Sequence, residues 1–147
     1  MSNLNRRKFT VLGMTAVTGA TLPFTGALGK MTQGRMVDSP ENMEPGDFTW
    51  HPERSPSGPV SIIVSIDDQR VHVYRGGIRI AVSTCSTGKK GHTTPAGVFT
   101  ILQKDKHHRS STYNNAPMPN MNRLTWKGIA LHAGNLPGYP ASHGCVR

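Results

Sequence analysis

Cys145 follows Gly144, with His143 two residues before it and His132 further upstream. These residue types suit one chemistry above others: a sulfur nucleophile, an imidazole to take its proton, and backbone that a substrate carbonyl can approach. An unperturbed thiol, with a pKa of about 8.5, is largely protonated at neutral pH and needs an activating neighbour. His132 and His143 are the two candidates. In an extended strand, residues i and i+2 share a face, which would set His143 beside the sulfur. His132 would arrive from a separate strand. Ser142 and Gly144 flank the nucleophile, and the Cys145 amide, joined by that of Gly144, would donate to an oxyanion. A zinc site built from His132, His143 and Cys145, completed by His107 or His108, is the competing reading. No CxxC or HExxH spacing supports it.

The elements that must position these groups begin near residue 60. Val60, Ile62, Val64 and Ile66 alternate with polar or solvent-side residues, the mark of a half-buried strand. Asp67-Asp68-Gln69 turns the chain into a second strand through Val71 and Val73. Gly76-Gly77 marks a tight hairpin turn into a third strand, where Ile78, Ile80 and Val82 alternate. Val98 to Leu102 reads as a further strand, and Gly128 to His132 as a short core strand that delivers His132 at its end. Between these two lies a polar excursion from Lys104 to Arg123, long enough to be either functional or disordered. Tyr113 within it is a candidate substrate contact. Gly134 to Pro140 reads as a turn-rich lid between His132 and Ser142.

Ahead of this domain the composition changes. Asn5-Arg6-Arg7-Lys8-Phe9 precedes an uncharged run from Thr10 to Gly29, so residues 1–29 resemble a twin-arginine-type export signal. A membrane anchor is the alternative for the same run. Export would place the protein in the periplasm or cell envelope. Residues 30–59 carry five prolines and read as an extended linker, with Phe48 and Trp50 as its only docking residues. With Arg6, Arg7, Lys8 and Lys30 set aside, 13 basic and 8 acidic residues leave a charge of +5. That surplus suits an anionic polymer such as cell wall, and no basic run interleaved with aromatics points to nucleic acid. Two cysteines cannot make a disulfide scaffold, and Cys85 reads as a buried strand thiol.

The stretch from His132 through Ser142-His143-Gly144-Cys145-Val146-Arg147 resembles the signature of the L,D-transpeptidase catalytic domain (YkuD type). Ile62 to Ser65, Gln69 to Tyr74, Ser86-Thr87-Gly88 and Thr94 to Phe99 are similar to that domain's earlier landmarks, in the same order. The resemblance covers residues 60–147. It implies a mainly β, sandwich-type domain with long loops that uses no cofactor or metal. By position, Cys145 matches the nucleophile and His132 the general acid/base, while Ser142, His143 and Gly144 match residues shaping the pocket and oxyanion site. Arg147 stands where it could hold a substrate carboxylate. Family members continue past this arginine, so the sequence is expected to be partial at its C-terminus. The implied activity is cross-linking of peptidoglycan stem peptides through a cysteinyl acyl-enzyme, with release of D-alanine. A protein lysine, such as one on an outer-membrane lipoprotein, is another acceptor consistent with the same acyl-enzyme. The rival reading is a non-catalytic peptidoglycan-binding module or truncated pseudoenzyme.

Overall fold

The computed structural model describes residues 31–147, so the segment read as an export signal lies outside the described residues. The fold is mainly β, with one turn of 3-10 helix at Pro52–Arg54. Two short strands, β1 (Arg35–Met36) and β2 (Asp47–Trp50), precede a meander of β3 (Val60–Ser65), β4 (Arg70–Arg75) and β5 (Ile78–Thr84). Together they form one sheet in the order β1-β2-β5-β4-β3. A second sheet holds β6 (Gln103–Asp105), β7 (Met121–Arg123) and β8 (Ala130–Leu131), paired antiparallel in that order. Among the described residues, no helix is long and apolar enough to cross a membrane.

The meander follows the expected register: Val60 pairs with Arg75 across the first turn, and Gly76-Gly77 closes the second hairpin. Its outer strand differs from expectation. Val60, Ile62 and Ile63 on β3 remain exposed, because β3 is the sheet's edge. Alternation tells which residues share a face and not whether another layer covers it. The core instead collects on β5, where Ile80, Ala81 and Val82 are buried, with Met121, Ala130, Cys85 and Val146. Burial pushes the Cys85 thiol up to about 11, so it stays protonated and inert at neutral pH.

Two expectations are corrected. The described part of the stretch 30–59, residues 31–59, is not an extended linker, since within it β2 pairs with β5 through Phe48, Thr49 and Trp50. Its prolines fall between the strands rather than within them, so they punctuate pairing without breaking it. Nor do Val98 to Leu102 form a strand: Leu102 alone reaches β7, its amide donating to the Arg123 carbonyl at 2.8 Å, and the paired residues begin at Gln103. The partner strand β7 is three residues long and is met fully by Gln103–Asp105. Strand propensity without a neighbour to pair with holds nothing in place.

The N-terminal strands are fastened by one ion pair. Arg35 donates through Nε and Nη2 to the Asp47 carboxylate at 2.8 and 2.6 Å, and the Glu44 amide adds a third bond at 2.9 Å. The Arg35 hydrogen bond, opposed by desolvation and aided by the Glu44 amide, lowers the Asp47 pKa to about 2. A lowered carboxylate pKa stabilises the fold above the unfolded value of about 4 and stops doing so as pH falls through the folded value. Thermal unfolding midpoints measured against pH should therefore drop between about pH 4 and 2. Asp47→Asn should flatten that drop and start from a lower midpoint at neutral pH. An identical acid limb in the variant would remove Asp47 from the account.

Candidate active site

The segment carrying Cys145 is inserted between the two sheets. On one side Val146 donates to the Ala130 carbonyl at 2.9 Å and accepts from the His132 amide at 3.0 Å, so it runs parallel to β8. On the other side Arg147 and Ser86 exchange a pair of backbone bonds at 2.8 and 3.0 Å. The amides of Ala141 and Ser142 both donate to the Thr87 carbonyl, and Lys89 donates to the carbonyl of Ser142. Thr87 is in turn gripped by Gln69, whose Oε1 accepts from the Thr87 amide at 2.9 Å while Nε2 donates to its hydroxyl at 2.7 Å. His132 and Cys145 are thus held by one backbone ladder from both sides.

Within that frame the segment from Ser142 to Cys145 is a tight turn and not an extended strand. Ser142 Oγ donates to the Cys145 carbonyl at 2.6 Å and accepts from the Gly144 amide at 3.1 Å. Thr94 Oγ1 donates to the Gly144 carbonyl at 2.9 Å and accepts from the Gly88 amide at 2.8 Å. Gly144 takes φ +113°, a region L side chains rarely adopt. Two expectations change as a result. The Gly144 amide is spent on Ser142 and is not free for an oxyanion, which leaves the Cys145 amide, unpaired among the described residues. The i and i+2 argument fails for His143, whose exposed ring stacks on Tyr113 at 4.5 Å and meets His92 edge-on at 4.8 Å.

Cys145, His132, Ser142, His143, Arg147 and Tyr113 all line one cleft of about 430 Å³, and Gly144 does not. The Cys145 thiol donates to the Gly128 carbonyl at 3.3 Å. Burial pushes its pKa up, with the Ala130 amide and the charges of Arg147 and Arg123 pulling the other way. Burial pushes the His132 imidazole down, opposed by the Ala133 carbonyl and assisted by Arg147. The pair therefore rests as neutral thiol and neutral imidazole. His132 Nδ1 lies 2.8 Å from the Ala133 carbonyl, an acceptor only, so Nδ1 carries the proton. Nε2 is then the basic nitrogen. That tautomer is the one a general base requires.

Arg147 supplies the cleft's unmet charge. Its Nε and Nη2 are buried without hydrogen-bond partners, and burial lowers its pKa. A guanidinium so placed is costly until an anion reaches it. His107 and His108 lie elsewhere: the His107 amide and His108 Nδ1 pair with Asp105 at 2.9 and 3.2 Å. Among the described residues, no group of three His, Cys, Asp or Glu side chains is arranged to hold a metal ion. The long excursion is ordered by Ser110, whose hydroxyl accepts from Thr112 and Tyr113, and by bonds from Met118 to His108 and Asn120 to Lys106. Sequence reasoning read Gln69 only as a turn residue and the start of a family landmark, because its grip on Thr87 has no local signature, and it gave no role to the Gly128 carbonyl.

Residues 59–147 match the sequence model of the L,D-transpeptidase catalytic domain, YkuD. The chain belongs to this family. Solved structures agree with the L,D-transpeptidase fold. An L,D-transpeptidase from Stackebrandtia nassauensis is 27% identical at a TM-score of 0.54, over 60% of this chain and 44% of that one. One from Xylanimonas cellulosilytica is 27% identical at a TM-score of 0.55, over 62% and 50%. A third, solved in complex with imipenem, shares the fold at 23% identity and a TM-score of 0.54, over 59% and 48%. The chain thus spans about half the length of the solved structures it matches. No curated protein matches it.

Proposed function

We propose that this L,D-transpeptidase domain is a cysteine acyl-transferase that cross-links peptidoglycan stem peptides outside the cytoplasm, reached by the twin-arginine route. His132 Nε2 takes the thiol proton as Cys145 Sγ attacks the carbonyl of the third, L-centred residue of a tetrapeptide donor. The Cys145 amide donates to the oxyanion. The carbon–nitrogen bond breaks, His132 returns the proton to the leaving amine, and D-alanine departs, leaving a thioester on Cys145. An acceptor amine then gives its proton to His132 and attacks the thioester, which restores the thiol. A stem-peptide amine is the proposed acceptor, with a lysine of an outer-membrane lipoprotein as the other acceptor this acyl-enzyme could serve. Arg147 pairs with a substrate carboxylate, and Tyr113, stacked on His143 and lining the same cleft, contacts the substrate.

The observation that carries this reading is that Cys145 and His132, the latter with Nδ1 on the Ala133 carbonyl, line one cleft with the unpaired Arg147 guanidinium. A strained β-lactam presents the same electrophilic carbonyl, and one relative of this fold was solved with imipenem. Intact-protein mass spectrometry with a carbapenem should give one adduct, mapped by peptide digestion to Cys145. No adduct on folded protein would reject the acyl-transferase and favour a non-catalytic wall-binding module.

A further inference from the structure

The cleft has one wall that the family match at residues 59–147 does not include. Met31, half-exposed, lines the cleft together with Asn135, His132, Cys145 and Arg147. Its neighbour Thr32 makes two hydrogen bonds to the loop between His132 and Ser142. The Thr32 hydroxyl donates to Asn135 Oδ1 at 3.1 Å and accepts from the Leu136 amide at 2.6 Å. These contacts span more than a hundred residues of sequence, so no local preference produces them.

The segment is fastened from behind. Arg35 holds Asp47, the Arg35 amide donates to the Gly46 carbonyl at 3.1 Å, and Val37 donates to the Phe48 carbonyl at 2.9 Å. A Cβ at Gly46 would lie 2.6 Å from Thr32 Cγ2, and one at Gly34 would lie 3.1 Å from the Phe48 ring. A Cβ at Gly138 would come within 2.9 Å of Pro45, so the same N-terminal region also approaches the loop two residues further on. The loop joining His132 to Ser142 is therefore braced by residues 31–46 at Asn135, Leu136 and Gly138. Thr32 also fixes the Asn135 amide. With Oδ1 turned to the hydroxyl, Nδ2 is left as a donor on a cleft-lining residue without a partner among the described residues.

The geometry points to Met31 and Thr32 as specificity-determining wall and positioning residue of the substrate cleft. Met31 provides an adaptable apolar surface for the aliphatic part of a stem peptide. Thr32 holds Asn135 so that its Nδ2 meets a peptide carbonyl. The assignment rests on the stem-peptide reading above, and it adds that the substrate cleft is incomplete without the chain preceding the family domain.

The test uses the full chain carrying Cys145→Ala, titrated with a stem tetrapeptide by calorimetry, so that binding is read without turnover. Met31→Ala and Thr32→Val should each weaken binding by about fivefold to tenfold, and Thr32→Ser should restore it. In the Cys145 protein the same variants should raise KM for the tetrapeptide and leave kcat unchanged. Alkylation of Cys145 by iodoacetamide, which needs no cleft wall, should keep its wild-type rate. Unchanged tetrapeptide affinity in both Met31→Ala and Thr32→Val overturns the inference, as does an equal loss of iodoacetamide reactivity, which would mean that the site had merely collapsed. Tetrapeptide binding that depends on Met31, with no carbapenem adduct on Cys145, would uphold the wall and reject the acyl-transferase.

Discussion

Cys145→Ala should remove the carbapenem adduct at every pH, and His132→Ala should slow adduct formation by about 10²–10⁴-fold at neutral pH. The two effects differ in kind because the resting pair is neutral. Burial raises the thiol pKa and lowers that of His132, so at neutral pH the sulfur keeps its proton until Nε2 takes it during attack. The wild-type rate should therefore rise with pH through the lowered His132 pKa, as imidazolium becomes base, and then level off. In His132→Ala only preformed thiolate reacts. Its rate should keep climbing with pH toward the raised thiol pKa, so the gap to wild type narrows in alkali. Stopped-flow acylation across the pH range checks both limbs. His143→Ala is the comparison: its ring packs on Tyr113 and His92, and its loss should keep the wild-type pH profile. A His132→Ala profile parallel to wild type would place the base elsewhere.

Gly88→Ala should destabilise the domain by about 3–5 kcal/mol, enough to lower the melting temperature by about 10–30 °C. A Cβ at residue 88 would sit 1.9 Å from the His92 carbonyl oxygen and 2.7 Å from the Thr94 amide nitrogen. Both are backbone atoms, so neither can swing aside. The strain would fall directly on the site, because Gly88 bridges Ser142 and its amide bonds the Thr94 hydroxyl that holds the Gly144 carbonyl. Any folded fraction should acylate slowly as well. Gly91→Ala separates clash from backbone strain: it has positive φ but nothing within 4 Å of the added atom. That variant should cost only about 1–2 kcal/mol, the penalty of a left-handed non-glycine residue. Equal melting temperatures for the two variants would mean that the His92 turn yields.

Much of the site is legible in the sequence because its residues lie close together at the end of one segment. Ser142 to Arg147 announces a candidate nucleophile with its flanking groups, and the short apolar run from Gly128 to His132 announces a strand that delivers His132. The meander is legible for the same reason: period-two alternation and the Gly76-Gly77 turn are local signals, and they fold into β3, β4 and β5 as read. Local signals misled where a partner decides the outcome. Val98 to Ile101 has strand composition but no ladder partner, and Leu102 only a single bond to Arg123, while Asp47–Trp50 sits among prolines yet finds β5.

The sequence by itself determined the family and the mainly β class, and it nominated the thiol proposed above as nucleophile, because each is written in residue type and short spacing. Tertiary structure alone decided three further things. It turned the Gly144 amide inward to Ser142, stacked His143 on Tyr113, and brought Met31 into the lining of the cleft. Each depends on which donor reaches which acceptor across a distance in sequence, as Thr32 reaches Leu136. A hydrogen bond or a cleft wall is a property of two segments at once, and neither segment carries the other's position.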